Sequence, residues 1–256
     1  MAYKAKNPIR VVTAASLFDG HDASINIMRR ILQDMGAEVI HLGHNRSVQD
    51  VVTTALQEGA QAIAVSSYQG GHMEYFKFMK DLLVEAGAPY VKIFGGGGGV
   101  IVYEEKAELE AYGIDQIFHP DDGRKMGLEG MIEMIVKAAD YSIAEEAAKV
   151  KQQKTPELFK SNPIPHRELG LALSALEEGK DLESFKEGLS TFSRQKSKQP
   201  LVFGMTGTGG AGKSSLIDEL LHRFLNVYPG IKIGVVCVDP SKQKTGGGLQ
   251  NRGPYS

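Results

Sequence analysis

The stretch Ile9-Arg10-Val11-Val12-Thr13-Ala14-Ala15-Ser16-Leu17-Phe18-Asp19-Gly20-His21-Asp22-Ala23-Ser24 decides the fold. It opens on a β-branched run, passes into a loop of small and acidic residues, and leads into Ile27, Met28, Ile31, Leu32 and Met35 at helical spacing, with Gly36 placed to stop the helix. That strand–loop–helix unit recurs. Runs at 38–42, 60–65, 90–94 and 115–118 alternate with helical stretches at 47–58, 73–85, 104–112 and 131–139. The runs read as parallel strands buried on both faces. Five such units predict a flavodoxin-like (Rossmann-type) α/β fold, a doubly wound five-stranded parallel sheet of order 2-1-3-4-5. Its ligand crevice lies where the loops after the first and third strands diverge.

Working outward, the 256 residues exceed what five βα units need, so a second domain has room. A formal charge of -2 gives no electrostatic excess for nucleic acid or an anionic membrane, and neither is expected as a partner. A single cysteine, Cys237, excludes an intramolecular disulfide. No run approaches the roughly 20 apolar residues of a membrane span, and the start has no apolar signal core. A cytoplasmic chain is the expectation.

The two loops that flank the crevice carry chemistry. A loop histidine by itself is more often a surface or capping residue than a ligand, but Asp19 stands two residues before His21, within reach of the imidazole N–H turned away from a metal. The third-strand loop holds Ser66, Ser67, Tyr68, Gly70 and Gly71. The fourth ends in five glycines at 95–99, a backbone that a bulky ligand could approach without meeting a Cβ. His72 and His119 fall on the same end of the sheet as supporting or surface histidines.

These residues resemble the cobalamin-binding domains of methionine synthase and of the adenosylcobalamin-dependent mutases, whose pattern is Asp-x-His-x-x-Gly, Ser-x-Leu and Gly-Gly at near-fixed intervals. Asp19 and His21 match the first element, Ser66 the second, and the glycines from Gly95 the third. The intervals between them, 25–65 and 69–94, fit the family's. Ser24 stands where the pattern has glycine and Tyr68 where it has leucine, while Ala15 replaces a lysine found in some mutases. The resemblance implies that His21 displaces the cofactor's own base as axial ligand to cobalt, with Asp19 orienting it. It also implies that the freed nucleotide tail enters the sheet beside Ser66, Tyr68, Gly95, Gly96, Gly98 and Gly99. The competing reading of the same fold is a response regulator with Asp19 in an acidic pocket.

A polar stretch at 141–199 follows, read as a helical linker with short helices near 169–176 and 182–192. A second constellation then appears. Gly207-Thr208-Gly209-Gly210-Ala211-Gly212-Lys213-Ser214 satisfies the P-loop pattern between a predicted strand, 201–205, and a predicted helix, 213–224. Gly207, Gly209, Gly210, Gly212, Lys213, Ser214 and Ser215 would hold the phosphates of a nucleotide, with Ser214 on Mg²⁺. Asp239, after a strand at 232–238, is either a second Mg²⁺ group or a plain Asp-Pro turn. The run from Val238 to Ser241 and the glycines at 246–248 resemble the MeaB-type GTPases that accompany acyl-CoA mutases. Residues 201–256 are fewer than the roughly 100 that a nucleotide-binding sheet needs, so the chain reads as part of something longer.

A cobalamin domain (1–140), a linker (141–199) and the start of a P-loop G domain (200–256) is the order of the fused isobutyryl-CoA mutases. That resemblance implies adenosylcobalamin, GTP and Mg²⁺ as cofactors. It implies an acyl-CoA substrate held by a domain missing here, a homodimeric parent, and interconversion of isobutyryl-CoA and n-butyryl-CoA. No catalytic residue of that rearrangement is expected in this chain. The alternatives are a stand-alone corrinoid carrier and a cobalamin-delivery metallochaperone.

Overall fold

Each of the five apolar runs forms a strand: β1 (Arg10–Ala15), β2 (Glu38–His41), β3 (Ala62–Ser66), β4 (Lys92–Gly96) and β5 (Gln116–Phe118). The computed structural model describes residues 3–17, 19, 23–150, 166–179, 186, 190 and 201–237. The strands pair in the order β2-β1-β3-β4-β5, all parallel, with Val12 opposite Ile63 and Ile63 opposite Ile93. Because side chains alternate across a strand, the apolar runs fill two cores. Val12, Ile63, Val65 and Ile93 pack on one side with Phe76, Met79 and Leu83, while Val11, Ala62, Ala64 and Phe94 pack on the other with Leu32, Ile132 and Ile135.

The connecting helices are α1 (Ala23–Asp34), α2 (Val48–Gln57), α3 (His72–Glu85), α4 (Tyr103–Tyr112) and α5 (Pro120–Ala139). Ser47 starts α2 through a capping box: its hydroxyl accepts from Asp50 N at 3.1 Å. Helix α5 begins eleven residues before the expected 131. His119 caps it, Pro120 occupies its first turn, and the helix kinks at Gly127 (φ 71°, ψ 170°).

Two further helices, α6 (Ile143–Val150) and α7 (His166–Glu177), occupy the stretch expected as a linker, and both belong to the same unit as the sheet. Helix α7 docks by α2, at the N-terminal ends of the strands. A Cβ on Gly170 would lie 2.6 Å from the Gln57 carbonyl oxygen, so the two backbones touch. The Arg10 guanidinium joins Glu38 (2.8 Å), Ser174 (3.2 Å) and Glu177, and Arg167 donates to the Gly87 carbonyl at 2.8 Å.

A second unit spans Ser193–Pro240, with α8 (Lys213–Val227) as its helix. The strands expected at 201–205 and 232–238 are not formed in its described residues. A strand exists through its ladder partners, and among the described residues Leu201 and Val236 stand 80% and 92% exposed. No helix of the described residues is long and apolar enough to cross a membrane.

Candidate functional site

The strands turn into their helices in opposite senses after β1 and β3, since α1 packs with one core and α3 with the other. That divergence opens a crevice at the C-terminal strand ends. The loops around it are held by short polar contacts. Ser16 N donates to the Ser66 carbonyl (2.9 Å), Ser16 Oγ to Ser67 Oγ (2.9 Å), and Ser67 N to the Gly96 carbonyl (2.7 Å).

Asp19 is buried, its own N–H bonded to the Ser16 carbonyl, and its Oδ2 accepts from the Tyr68 N–H at 2.7 Å. A backbone donor therefore fixes one carboxylate oxygen before any histidine is considered. His21 lies outside the described residues.

Ser66 ends β3, between Ala15 of β1 and Gly96 of β4. Its hydroxyl is buried and has no hydrogen-bond partner among the described residues. A buried hydroxyl left unpaired costs on the order of 1–3 kcal/mol, so a polar ligand atom is the natural complement. Two residues on, Tyr68 reaches across the crevice, its hydroxyl 3.1 Å from Ser24 Oγ in the first turn of α1.

The five glycines serve different ends. A Cβ on Gly95 would strike Phe76 Cζ at 2.4 Å, so that glycine makes room for the core and not for a ligand. Gly96 passes the Phe118 carbonyl with a modest 3.4 Å, and Gly99 faces open space. Gly98, at φ +58°, would meet the Tyr68 ring at 2.8 Å. The tightest position is Gly97, where a Cβ would lie 2.0 Å from the Ser67 carbonyl. Gly97 was not among the expected site residues, and with five glycines in a row no sequence signal separates it from its neighbours.

The two other histidines of this end are structural. His72 bridges the Gln69 carbonyl (3.1 Å) and Glu105 (2.9 Å), which ties α3 to α4. The Val102 N–H, followed by His72, holds the Glu105 carboxyl below its usual range. His119 caps α5 and stacks on Tyr103 with ring centres 4.2 Å apart. A surface groove of about 460 Å³ between α2 and α3, lined by Val52 and Leu82 among others, lies away from these loops.

In the second unit, Gly212 (φ 79°) turns the chain into α8, with Gly207 and Gly210 also at positive φ. Lys213 Nζ donates to the Thr208 carbonyl at 2.7 Å, closing the loop on itself. Ser214 and Ser215 follow, exposed in the first turn, where backbone N–H groups favour an anion. Asp239 lies outside the described residues.

Comparison with known proteins agrees with both constellations. Residues 9–127 match the family model of the B12 binding domain, and residues 171–251 match that of the methylmalonyl-CoA mutase-associated GTPase MeaB. The chain is 52% identical over 252 residues to the fused isobutyryl-CoA mutase of Geobacillus kaustophilus, across 96% of this chain but 23% of that protein. It thus spans about a quarter of that relative. It is 34% identical to the 2-hydroxyisobutanoyl-CoA mutase small subunit of Aquincola tertiaricarbonis, covering 45% of this chain and 84% of that one. With the pivalyl-CoA mutase small subunit of Xanthobacter autotrophicus the identity is 30%, over 57% of this chain and 93% of that one.

Proposed function

The chain belongs to the B12 binding domain family, and on that premise we propose that the β1/β3 crevice takes the nucleotide tail of adenosylcobalamin while His21 ligates the cobalt. The observation that carries this reading is the Ser66 hydroxyl, buried at the switch point without a partner among the described residues. Asp19, held by the Tyr68 N–H and two residues before His21 in the chain, would orient the imidazole, which sets the tautomer and strengthens the donor nitrogen. Ser66 donates to the tail, and the close approach of Gly96 and Gly97 to Phe118 and Ser67 keeps the wall thin there. When bound, adenosylcobalamin supplies a weak cobalt–carbon bond for radical chemistry.

The whole protein is proposed to be an acyl-CoA mutase that interconverts isobutyryl-CoA and n-butyryl-CoA as a cytoplasmic homodimer. Its acyl-CoA site would lie on a domain beyond this chain. In the P-loop unit, Lys213 would leave the Thr208 carbonyl for the β/γ-phosphates of GTP, and Ser214 would hold Mg²⁺. The match to MeaB favours this coupling over a stand-alone corrinoid carrier.

Ser66→Ala tests the reading, because its two effects have opposite signs. Removing an unpartnered buried hydroxyl is expected to leave the fold as stable or stabler by about 1 kcal/mol in urea unfolding. The same change is expected to weaken adenosylcobalamin binding about tenfold in equilibrium dialysis. Unchanged retention of the cofactor would contradict the role given to Ser66.

A further inference from the structure

The parallel ladder at the switch point ends on Ala15, Ser66 and Gly96, and the residues that follow carry it one step further. Ser16 N donates to the Ser66 carbonyl and Ser67 N to the Gly96 carbonyl, so Ser16 and Ser67 leave the sheet side by side. Both are wholly buried. Their hydroxyls meet at 2.9 Å, Ser16 Oγ donating to Ser67 Oγ. The same two residues bracket Asp19. Its N–H donates to the Ser16 carbonyl at 3.1 Å, and its Oδ2 accepts at 2.7 Å from the N–H of Tyr68, the residue after Ser67. Ser16, Asp19, Tyr68 and Ser67 thus close a ring of hydrogen bonds through the Ser67–Tyr68 peptide.

We propose that Ser16 and Ser67 are positioning residues, whose hydroxyl bond clamps the two crevice loops at the spacing that aims the Asp19 carboxylate at the His21 imidazole. The inference rests on the cobalamin reading above and adds two buried residues to it. Plain packing is a poor account of the pair. Two facing hydroxyls in a core add little net stability over apolar groups of the same shape. What they add is direction, because a hydrogen bond holds over a narrow range of distance and angle whereas an apolar contact lets its partners slide. Ser67 is confined on the other side as well. A Cβ on Gly97 would lie 2.0 Å from its carbonyl oxygen, so the backbone after β4 closes on it there. The hydroxyl bond is the matching restraint toward β1. Groups that orient a metal ligand typically change metal affinity by about 10–100-fold when lost, and a restraint one step further out is expected to do less.

The double variant Ser16→Ala/Ser67→Ala removes both hydroxyls together, so neither is left facing a lost partner, and its urea midpoint is expected to match that of the unaltered protein. Two readouts follow the clamp. In cofactor-free protein, amide hydrogen exchange at Asp19 and Tyr68 is expected to run about fivefold faster, with Ile63 in the middle of the sheet unchanged. In ¹⁵N-labelled protein titrated with cob(II)alamin, the concentration at which half of the protein shows an EPR doublet from ¹⁵N on cobalt is expected to rise about fivefold. An unaltered titration midpoint, or unaltered exchange at Asp19 and Tyr68, would overturn the clamp. So would a lower urea midpoint or faster exchange at Ile63, since the hydroxyls would then hold the sheet and not Asp19. A doublet missing from the unaltered protein brings down the cobalamin reading beneath. A doublet that forms at the same cob(II)alamin concentration in both proteins brings down the clamp alone.

Discussion

Asp140 holds the N-terminal segment against the sheet domain, and its chemistry makes that contact acid-sensitive. It accepts from Tyr3 Oη (2.6 Å), Lys6 N (2.9 Å), and Asn7 N and Nδ2 (2.9 and 2.8 Å). Burial works to raise its pKa, but these donors outweigh it and hold the carboxyl at about 2. The unfolded value is about 3.9, so the contribution is complete above that pH and is lost as pH falls toward 2. With solvent screening it amounts to about 1 kcal/mol. Asp140→Asn is expected to lower urea stability by that amount at pH 7, with the gap to the unaltered protein closing by pH 2; an equal gap at both pH values would contradict the assignment. At this scale the sequence was informative where chemistry is rare and silent where it is repeated. One Asp and one Ser on the two crevice loops stood out as Asp19 and Ser66. The pairing of Ser24 with Tyr68 joins residues far apart in sequence, and nothing in either segment announces it.

Among the elements, β-branched runs and their spacing made the five strands and their order legible, because a strand buried on both faces has few other ways to be written. The first half of α5 was hidden. Its Pro-Asp-Asp-Gly-Arg-Lys opening has no apolar period, and only the proline in the first turn marks a helix. Helix α7 answers the helix expected at 169–176, but its apolar spacing does not tell which face is buried. Its leucines suggest the buried face, yet Leu173 is 56% exposed while Gly170, Ala172 and Ser174 face inward. Small residues let the helix backbone lie against the end of α2, and periodicity of large residues does not report such contact. Gly170→Val is accordingly expected to cost about 1–3 kcal/mol in urea unfolding and to speed proteolysis of 143–177. Unaltered stability and cleavage would show that α7 is not docked through this face.

At the scale of the molecule, two phosphate-recognising or cofactor-binding ideas share one chain, a sheet crevice in the first unit and a glycine turn before a helix in the second. Both could be singled out because each depends on fixed spacings, a few residues in the P-loop at 207–214 and two long intervals, 25–65 and 69–94, in the first unit. The strands around the P-loop were predicted from their apolar runs but are not formed among the described residues, since a β-run specifies that a ladder partner is needed and does not itself supply one. The central claim is that the crevice holds cobalamin with a protein nitrogen on cobalt. Cob(II)alamin at natural abundance, loaded into uniformly ¹⁵N-labelled protein, tests it through the superhyperfine splitting in its EPR spectrum. A change from the triplet of ¹⁴N to the doublet of ¹⁵N, abolished by His21→Ala, is the predicted result. A triplet that persists in the labelled protein would mean that the cofactor keeps its own base, and would contradict the role of His21 and the mutase function built on it.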